Sequence, residues 1–308
     1  MMSTRHQRTI ANPAVVTGKG LITGRPIRLR FRPAPADYGL HFVRTDRPKS
    51  PTIPAKASAV TDTRRRTTLG SPEHGVTLVE HVLAALAGMR VDNCTIELDG
   101  PEPPGLDGSA GDFTRALADA KVVTQPARKP IVTLTAPMTA CQGGATVSIH
   151  PAVDEGLRIS YVLDYGATAV IPRQSVSFDL TPEVFLRDLC DCRTFLLESE
   201  TAALKAQGIG HHLTTSDILV FGPRGVIDNS LRFADEPARH KVLDLVGDLA
   251  LSGWDLSGHI VAYRSGHQLN VELAKRVEGQ ADPLGPPPPP ADSRSERRRW
   301  FRPRLQVA

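Results

Sequence analysis

The run Arg239-His240-Lys241-Val242-Leu243-Asp244-Leu245-Val246-Gly247-Asp248 carries an imidazole and two carboxylates at four-residue steps. On a helix, His240, Asp244 and Asp248 rise from one face. An imidazole and a carboxylate one turn apart can grip the same divalent cation. A carboxylate a turn further on can orient its neighbour. Spacing alone leaves a plainer reading open: a histidine on an apolar helix is commonly a hydrogen-bonded core residue. Asp248 is then a solvated side chain or the partner of a nearby base.

A hydrolytic zinc site uses three protein ligands and an open position for water. His240 and Asp244 supply two of them, and the third has to come from elsewhere. Glu80-His81 in the apolar run 77–88 fits, because adjacent helical residues diverge by roughly 100° around the axis. His81 can then ligate while Glu80 faces the water. His267, after Gly266 at a strand end, can bring a second acid–base group to the same cleft. Cys190 and Cys192 form a C-x-C without a second close pair, so two ordinary thiols near a strand are the simpler reading.

Elements must hold these residues. Ile27, Leu29 and Phe31 alternate with Arg28, Arg30 and Arg32, the pattern of a strand with one wet face. Further strands are predicted at 39–43, 93–98, 131–135, 145–150, 157–164 and 259–263. Helices are predicted at 77–88, 109–120, 183–189, 199–207 and 237–251. The proline and charge of 124–130 predict a linker. His81-Val82-Leu83-Ala84-Ala85-Leu86 and His240-Lys241-Val242-Leu243-Asp244-Leu245 echo one another, each followed by a glycine and a strand. The echo suggests two related halves and does not by itself establish them.

At 308 residues the chain suits two modest domains. No apolar run approaches a bilayer span. The basic start, Met1 to Arg8, lacks the apolar core of a signal peptide, and four cysteines do not make a disulfide framework. The expected compartment is the cytoplasm. Six arginines and three acids after residue 280 account for +3 of the net charge of +4, so the body calls for no nucleic-acid partner. Pro286 to Pro290 and the basic stretch with Trp300 and Phe301 read as a disordered tail. Transient contact with anionic lipid at the inner membrane is the alternative.

Several segments in one order resemble a known family. Val79-Glu80-His81, Asp92-Asn93, Asp99-Gly100-Pro101-Glu102 and Asp107-Gly108-Ser109 resemble the first domain of the UDP-3-O-acyl-N-acetylglucosamine deacetylases, the zinc amidases of lipid A synthesis. The resemblance continues through Arg193-Thr194-Phe195, Leu231-Arg232-Phe233, Arg239 to Asp248 and Ser265-Gly266-His267, and runs from about residue 8 to residue 277. It implies a two-domain α+β fold with helices packed between two sheets: residues 1–125, carrying Glu80 and His81, and 131–280, carrying the remaining site residues. Residues 281–308 lie outside it.

Position by position, the resemblance implies that His81, His240 and Asp244 hold zinc, with ferrous iron an alternative occupant in the cell. Glu80 matches the general base, His267 the general acid, and Asp248 the carboxylate that holds the His267 imidazole. Thr194 matches a hydroxyl that steadies the oxyanion. Lys241 and Arg264 match cations near the substrate phosphates. Asp164-Tyr165 stands where the family has an Asp-Phe pair around the uridine, and Phe195 is expected to contact substrate. The implied reaction removes acetate from a UDP-linked, acylated N-acetylglucosamine, in a protein expected to be a monomer. Leu196-Leu197, Gly210-His211-His212-Leu213 and Arg66 depart from the family pattern and bear on the acyl passage. His211-His212 is expected in an exposed loop. A zinc amidase with drifted specificity and a non-catalytic nucleotide-sugar-binding paralogue are the alternatives. Retention of Glu80, all three ligands and His267 argues against the second.

Overall fold

The computed structural model describes residues 3–151, 156–206 and 210–280; the expectations for the 281–308 tail lie outside them. In chain order, β1 (Thr4–Ile10), β2 (Ala14–Lys19), β3 (Pro26–Pro33), β4 (Leu40–Arg44) and β5 (Ile53–Pro54) come first. A small sheet of β6 (Val60–Asp62), β7 (Thr68–Leu69) and β8 (Val76–Thr77) leads to α1 (Glu80–Gly88), β9 (Cys94–Leu98) and α2 (Gly111–Asp119). The long β10 (Val122–Thr133) opens the second half, with β11 (Met138–Gln142), β12 (Ala145–His150), β13 (Leu157–Leu163) and β14 (Gln174–Asp179). A short α3 (Pro182–Val184) runs into a π turn at Phe185–Leu189, then β15 (Phe195–Leu197), α4 (Glu198–Ala206), β16 (Leu219–Gly222) and β17 (Gly225–Val226). The described chain ends with α5 (Glu236–Ala250), β18 (Asp255–Tyr263) and α6 (His267–Gln280).

The fold is α+β, and its halves repeat one topology. Strand β9 lies between antiparallel β3 and parallel β4, with β2 and β5 outside them. Strand β18 lies between antiparallel β12 and parallel β13, with β11 and β14 outside them. A helix precedes and follows each central strand, α1 and α2 around β9, α5 and α6 around β18. The echo between His81 and His240 is therefore topological: the two histidines occupy equivalent helices. No helix among the described residues is long and apolar enough to cross a membrane.

Alternation explains the sheets. Ile27, Leu29 and Phe31 of β3 are buried while Arg28 and Arg32 face solvent. In the second sheet Val147, Ile149, Ile159, Tyr161, Ile260 and Ala262 fill the inner face. Helix α1 is apolar nearly all round, with Val82 through Leu86 fully buried. A helix so patterned has to be covered on all sides, and it packs against both α2 and α5.

The crossing of α1 and α5 is set by Gly247. A Cβ on Gly247 would sit 2.1 Å from the carbonyl oxygen of Glu80 and 3.2 Å from the amide nitrogen of Ala84. Both are main-chain atoms, which cannot swing away. Alanine at 247 gains about 1 kcal/mol as a helix former, but overpacking against rigid neighbours costs about 3 kcal/mol. Gly247→Ala is thus expected to lose about 2 kcal/mol net, read as an earlier urea midpoint at unchanged slope. A midpoint equal to that of the parent chain would contradict so close a contact.

Three readings of the sequence need correction. Residues 124–130 are not a linker but part of β10, which pairs with β1 and then with β18. Pro126 falls where the β1–β10 register shifts, between the pairs His6↔Arg128 and Arg8↔Thr124. A bulge tolerates its missing donor. The helix predicted from residue 77 begins at Glu80, because Thr77 is paired in β8 and Leu78 adopts a left-handed φ of 56°. His212 is half-buried, its Nε2 2.9 Å from the Gly20 carbonyl oxygen, so the 211–212 pair is not simply an exposed loop.

Candidate active site

Helix α5 presents a buried polar stripe. His240, Asp244 and Asp248 are all nearly inaccessible, and such groups are costly unless partnered. The Nδ1–H of His240 donates to the Cys192 carbonyl at 3.0 Å, which leaves the Nε2 lone pair directed away from that bond. Burial favours this neutral form, bringing the His240 pKa down to about 3. Its Nε2 lies 3.3 Å from Asp244 Oδ1, and His81 Nε2, from α1, lies 3.5 Å from the same oxygen.

His81, His240 and Asp244 thus converge, their ligand atoms all within 4.8 Å of one another. Asp244 Oδ1 is buried and accepts no hydrogen bond, a deficit of about 1–3 kcal/mol. Burial opposes the charge of Asp244, yet the neighbouring His240, Lys241 and His267 hold its carboxyl well below the usual range. Two imidazole nitrogens and an unpartnered carboxylate oxygen fit a divalent cation. They are the one such group among the described residues.

Two proton-transfer candidates flank this triad. Burial raises the pKa of Glu80, partly offset by His267 and His81. Its Oε2 accepts the Thr67 N–H at 3.0 Å, while Oε1 has no hydrogen bond among the described residues. His267 opens α6 and places Nδ1 2.9 Å from Asp248 Oδ2. Burial disfavours its imidazolium, but Asp248, Asp244 and Glu80 outweigh this and bring its pKa up to about 9. Asp248 also accepts the Thr67 hydroxyl at 2.6 Å and the Asn270 amide at 3.0 Å.

A cavity of about 890 Å³ opens over these groups, with Glu80, His81, Thr194, Asp244 and His267 on its wall. Leu21, Ile22, Leu196, Leu197, Leu204 and Leu213 give the lining an apolar part, and Lys241, Arg264, Arg65 and Arg66 a cationic one. The Lys241 ammonium donates to Asp244 Oδ2 at 2.9 Å and sits 5.5 Å from the Phe195 ring centroid. Phe195 in turn meets Tyr165 edge to face. His240 and Asp248 stand behind the wall. Asp164 is not on it: its Oδ2 accepts the Tyr263 hydroxyl at 2.8 Å and its Oδ1 the Gly166 N–H.

Sequence reasoning overlooked Thr67, Asn270 and Gly247. Thr67 gives no periodic signal, since it precedes a two-residue strand. Cys190 and Cys192 are free, buried thiols that donate to the Leu186 and Asp188 carbonyls and belong to no metal-ligating group among the described residues.

A converging His-His-Asp set in a cavity, beside a buried carboxylate and a carboxylate-held imidazole, has the make-up of a metal-dependent hydrolase. Residues 7–278 match the model of the UDP-3-O-acyl N-acetylglycosamine deacetylase family, LpxC, and the chain belongs to that family. It is 41% identical over 276 residues to the UDP-3-O-acyl-N-acetylglucosamine deacetylase of Nostoc sp., covering 88% of this chain and 98% of the relative. The namesake enzyme of Bdellovibrio bacteriovorus is 37% identical over 272 residues, 88% of this chain and 89% of the relative. A bifunctional LpxC/FabZ enzyme of Chlorobaculum tepidum is 40% identical over 304 residues. That alignment covers 90% of this chain but only 65% of the longer relative.

Proposed function

We propose that this protein hydrolyses the acetamide of UDP-3-O-acyl-N-acetylglucosamine, yielding the free amine and acetate, as the names of its relatives indicate for them. The observation that carries this reading is the convergence of His81, His240 and the unpartnered Asp244 Oδ1 between Glu80 and His267. Those three side chains would hold the metal. Zinc suits two neutral imidazoles and a carboxylate, with ferrous iron as the alternative. When bound, such an ion polarises the amide carbonyl and makes water acidic.

The chain's own groups then divide the remaining work. Glu80 Oε1, the oxygen left free by Thr67, takes the proton of the attacking water as its oxygen bonds to the carbonyl carbon. The Thr194 hydroxyl, on the cavity wall, steadies the oxyanion. As the carbon–nitrogen bond breaks, His267 Nε2 gives its proton to the departing amine, while Nδ1 stays with Asp248. Lys241 and Arg264 face the substrate's phosphates, and Tyr165 and Phe195 offer ring faces to the nucleotide-sugar. Asp164 accepts the Tyr263 hydroxyl and, like Tyr263, does not line the cavity, so its part at the uridine rests on the resemblance alone. The leucine-rich part of the lining, including the departures Leu196 and Leu197, receives the acyl chain. Metal ligands and proton-transfer groups all come from one chain, so a monomer suffices. Free cysteines suit the cytoplasm, where a nucleotide-linked substrate is met.

Purified protein is expected to release acetate from the acylated UDP-sugar, to lose that activity on chelation, and to regain it with added zinc. Metal-loaded protein that releases none would overturn the reading.

A further inference from the structure

Thr67 touches both halves of the proton-transfer apparatus at once. It is fully buried, in the first half of the chain, immediately before β7. Its main-chain N–H donates to Glu80 Oε2 at 3.0 Å, and its hydroxyl donates to Asp248 Oδ1 at 2.6 Å, 181 residues away in sequence. Asp248 is itself completely buried. Its Oδ2 faces His267 Nδ1 at 2.9 Å and accepts the Asn270 amide at 3.0 Å. The Thr67 hydroxyl is the one donor given to Asp248 Oδ1 among the described residues.

On this geometry, and on the functional reading above, we infer that Thr67 is a positioning residue. It ties the Glu80 carboxylate and the Asp248–His267 pair to a single point between α1 and α5. Both of its bonds constrain rotation. With Oε2 held by the amide, Glu80 presents Oε1 to the cavity in a fixed orientation. With Oδ1 held by the hydroxyl, the Asp248 carboxylate plane is fixed, and so is the direction from which Oδ2 receives the His267 ring. A buried carboxylate deprived of one of three donors has no water to replace it. Removing the hydroxyl alone should therefore let Asp248 turn, and the ring it holds should turn with it. Outer partners of this kind typically carry 10–100-fold effects.

Thr67→Val keeps the shape and the main-chain amide and deletes only the hydroxyl. Thr67→Ser restores it. With the zinc-loaded enzyme, Thr67→Val is expected to lower kcat about tenfold at unchanged KM and metal content, and Thr67→Ser to recover most of the loss. A second readout does not depend on turnover: the hydrogen-bonded Nδ1–H proton of His267, followed by NMR in ¹⁵N-histidine protein. In the parent chain it should persist as a downfield signal. It should broaden or move upfield in Thr67→Val and return in Thr67→Ser. An unchanged signal in Thr67→Val, or no persistent signal in the parent chain, overturns the inference. So does a kcat loss that Thr67→Ser fails to restore. If the signal responds as expected but the parent chain releases no acetate, the substrate reading fails and the positioning role stands.

Discussion

Glu80→Gln is expected to reduce kcat about 10³-fold, within the range for losing a general base, while the protein still binds one metal ion. Glutamine has the same shape and can still accept the Thr67 N–H through its amide oxygen. It cannot take a proton from water at any ordinary pH. Glu80 is 2% exposed and lines the cavity, so bulk water reaches it only through the cavity and cannot readily substitute as base. Glu80 is adjacent to the candidate ligand His81 but contributes no atom to the converging triad. Metal analysis alongside steady-state kinetics separates the two roles. Activity within tenfold of the parent enzyme would remove Glu80 as base, and loss of metal would recast it as a ligand.

His240→Ala should act in the opposite order, on metal first and on turnover as a consequence. Deleting one of three ligands should weaken affinity by more than the about 10–100-fold that follows loss of an outer partner. Purified protein should then carry almost no metal after dialysis. The Cys192 carbonyl also loses its partner in a fully buried place, which adds about 1–3 kcal/mol of destabilisation. A melting curve taken with the metal assay therefore matters. A folded variant without metal supports the ligand role. Unchanged metal content would take His240 out of the set.

The helices that carry the candidate site were readable because they are strongly periodic, while the roles of their residues came from the family resemblance. The four-residue steps of His240, Asp244 and Asp248 survive intact in α5, and Glu80-His81 lies on a helix whose apolar run is unmistakable. The alternation in β3 was equally plain, and β9 alternates in the same way. What periodicity could not show were groups fixed by non-local pairing. Residues 124–130 carry two prolines and read as coil, yet pairing with β1 holds them extended, and β18 takes up the strand from Ile131. Thr67 has no pattern of its own and acquires its role only when α5 arrives beside it. Helix α6 did leave a signal: Leu269, Leu273 and Val277 recur every four residues on its buried face. Asp164 was placed at the uridine by resemblance, and its carboxylate accepts the Tyr263 hydroxyl.

Helices α1 and α5, which meet closely at Gly247, belong to different repeats. His81 belongs to one repeat and His240 and Asp244 to the other, so neither repeat alone presents a complete ligand set. An ion held by these three side chains would recognise only the docked pair. Its binding free energy would accordingly be added to the association of the two repeats and not to the stability of either one, by the usual linkage relation between ligand concentration and affinity. Such an ion would double as a clasp. Stripping it should loosen the seam between α1 and α5 before it disturbs either sheet.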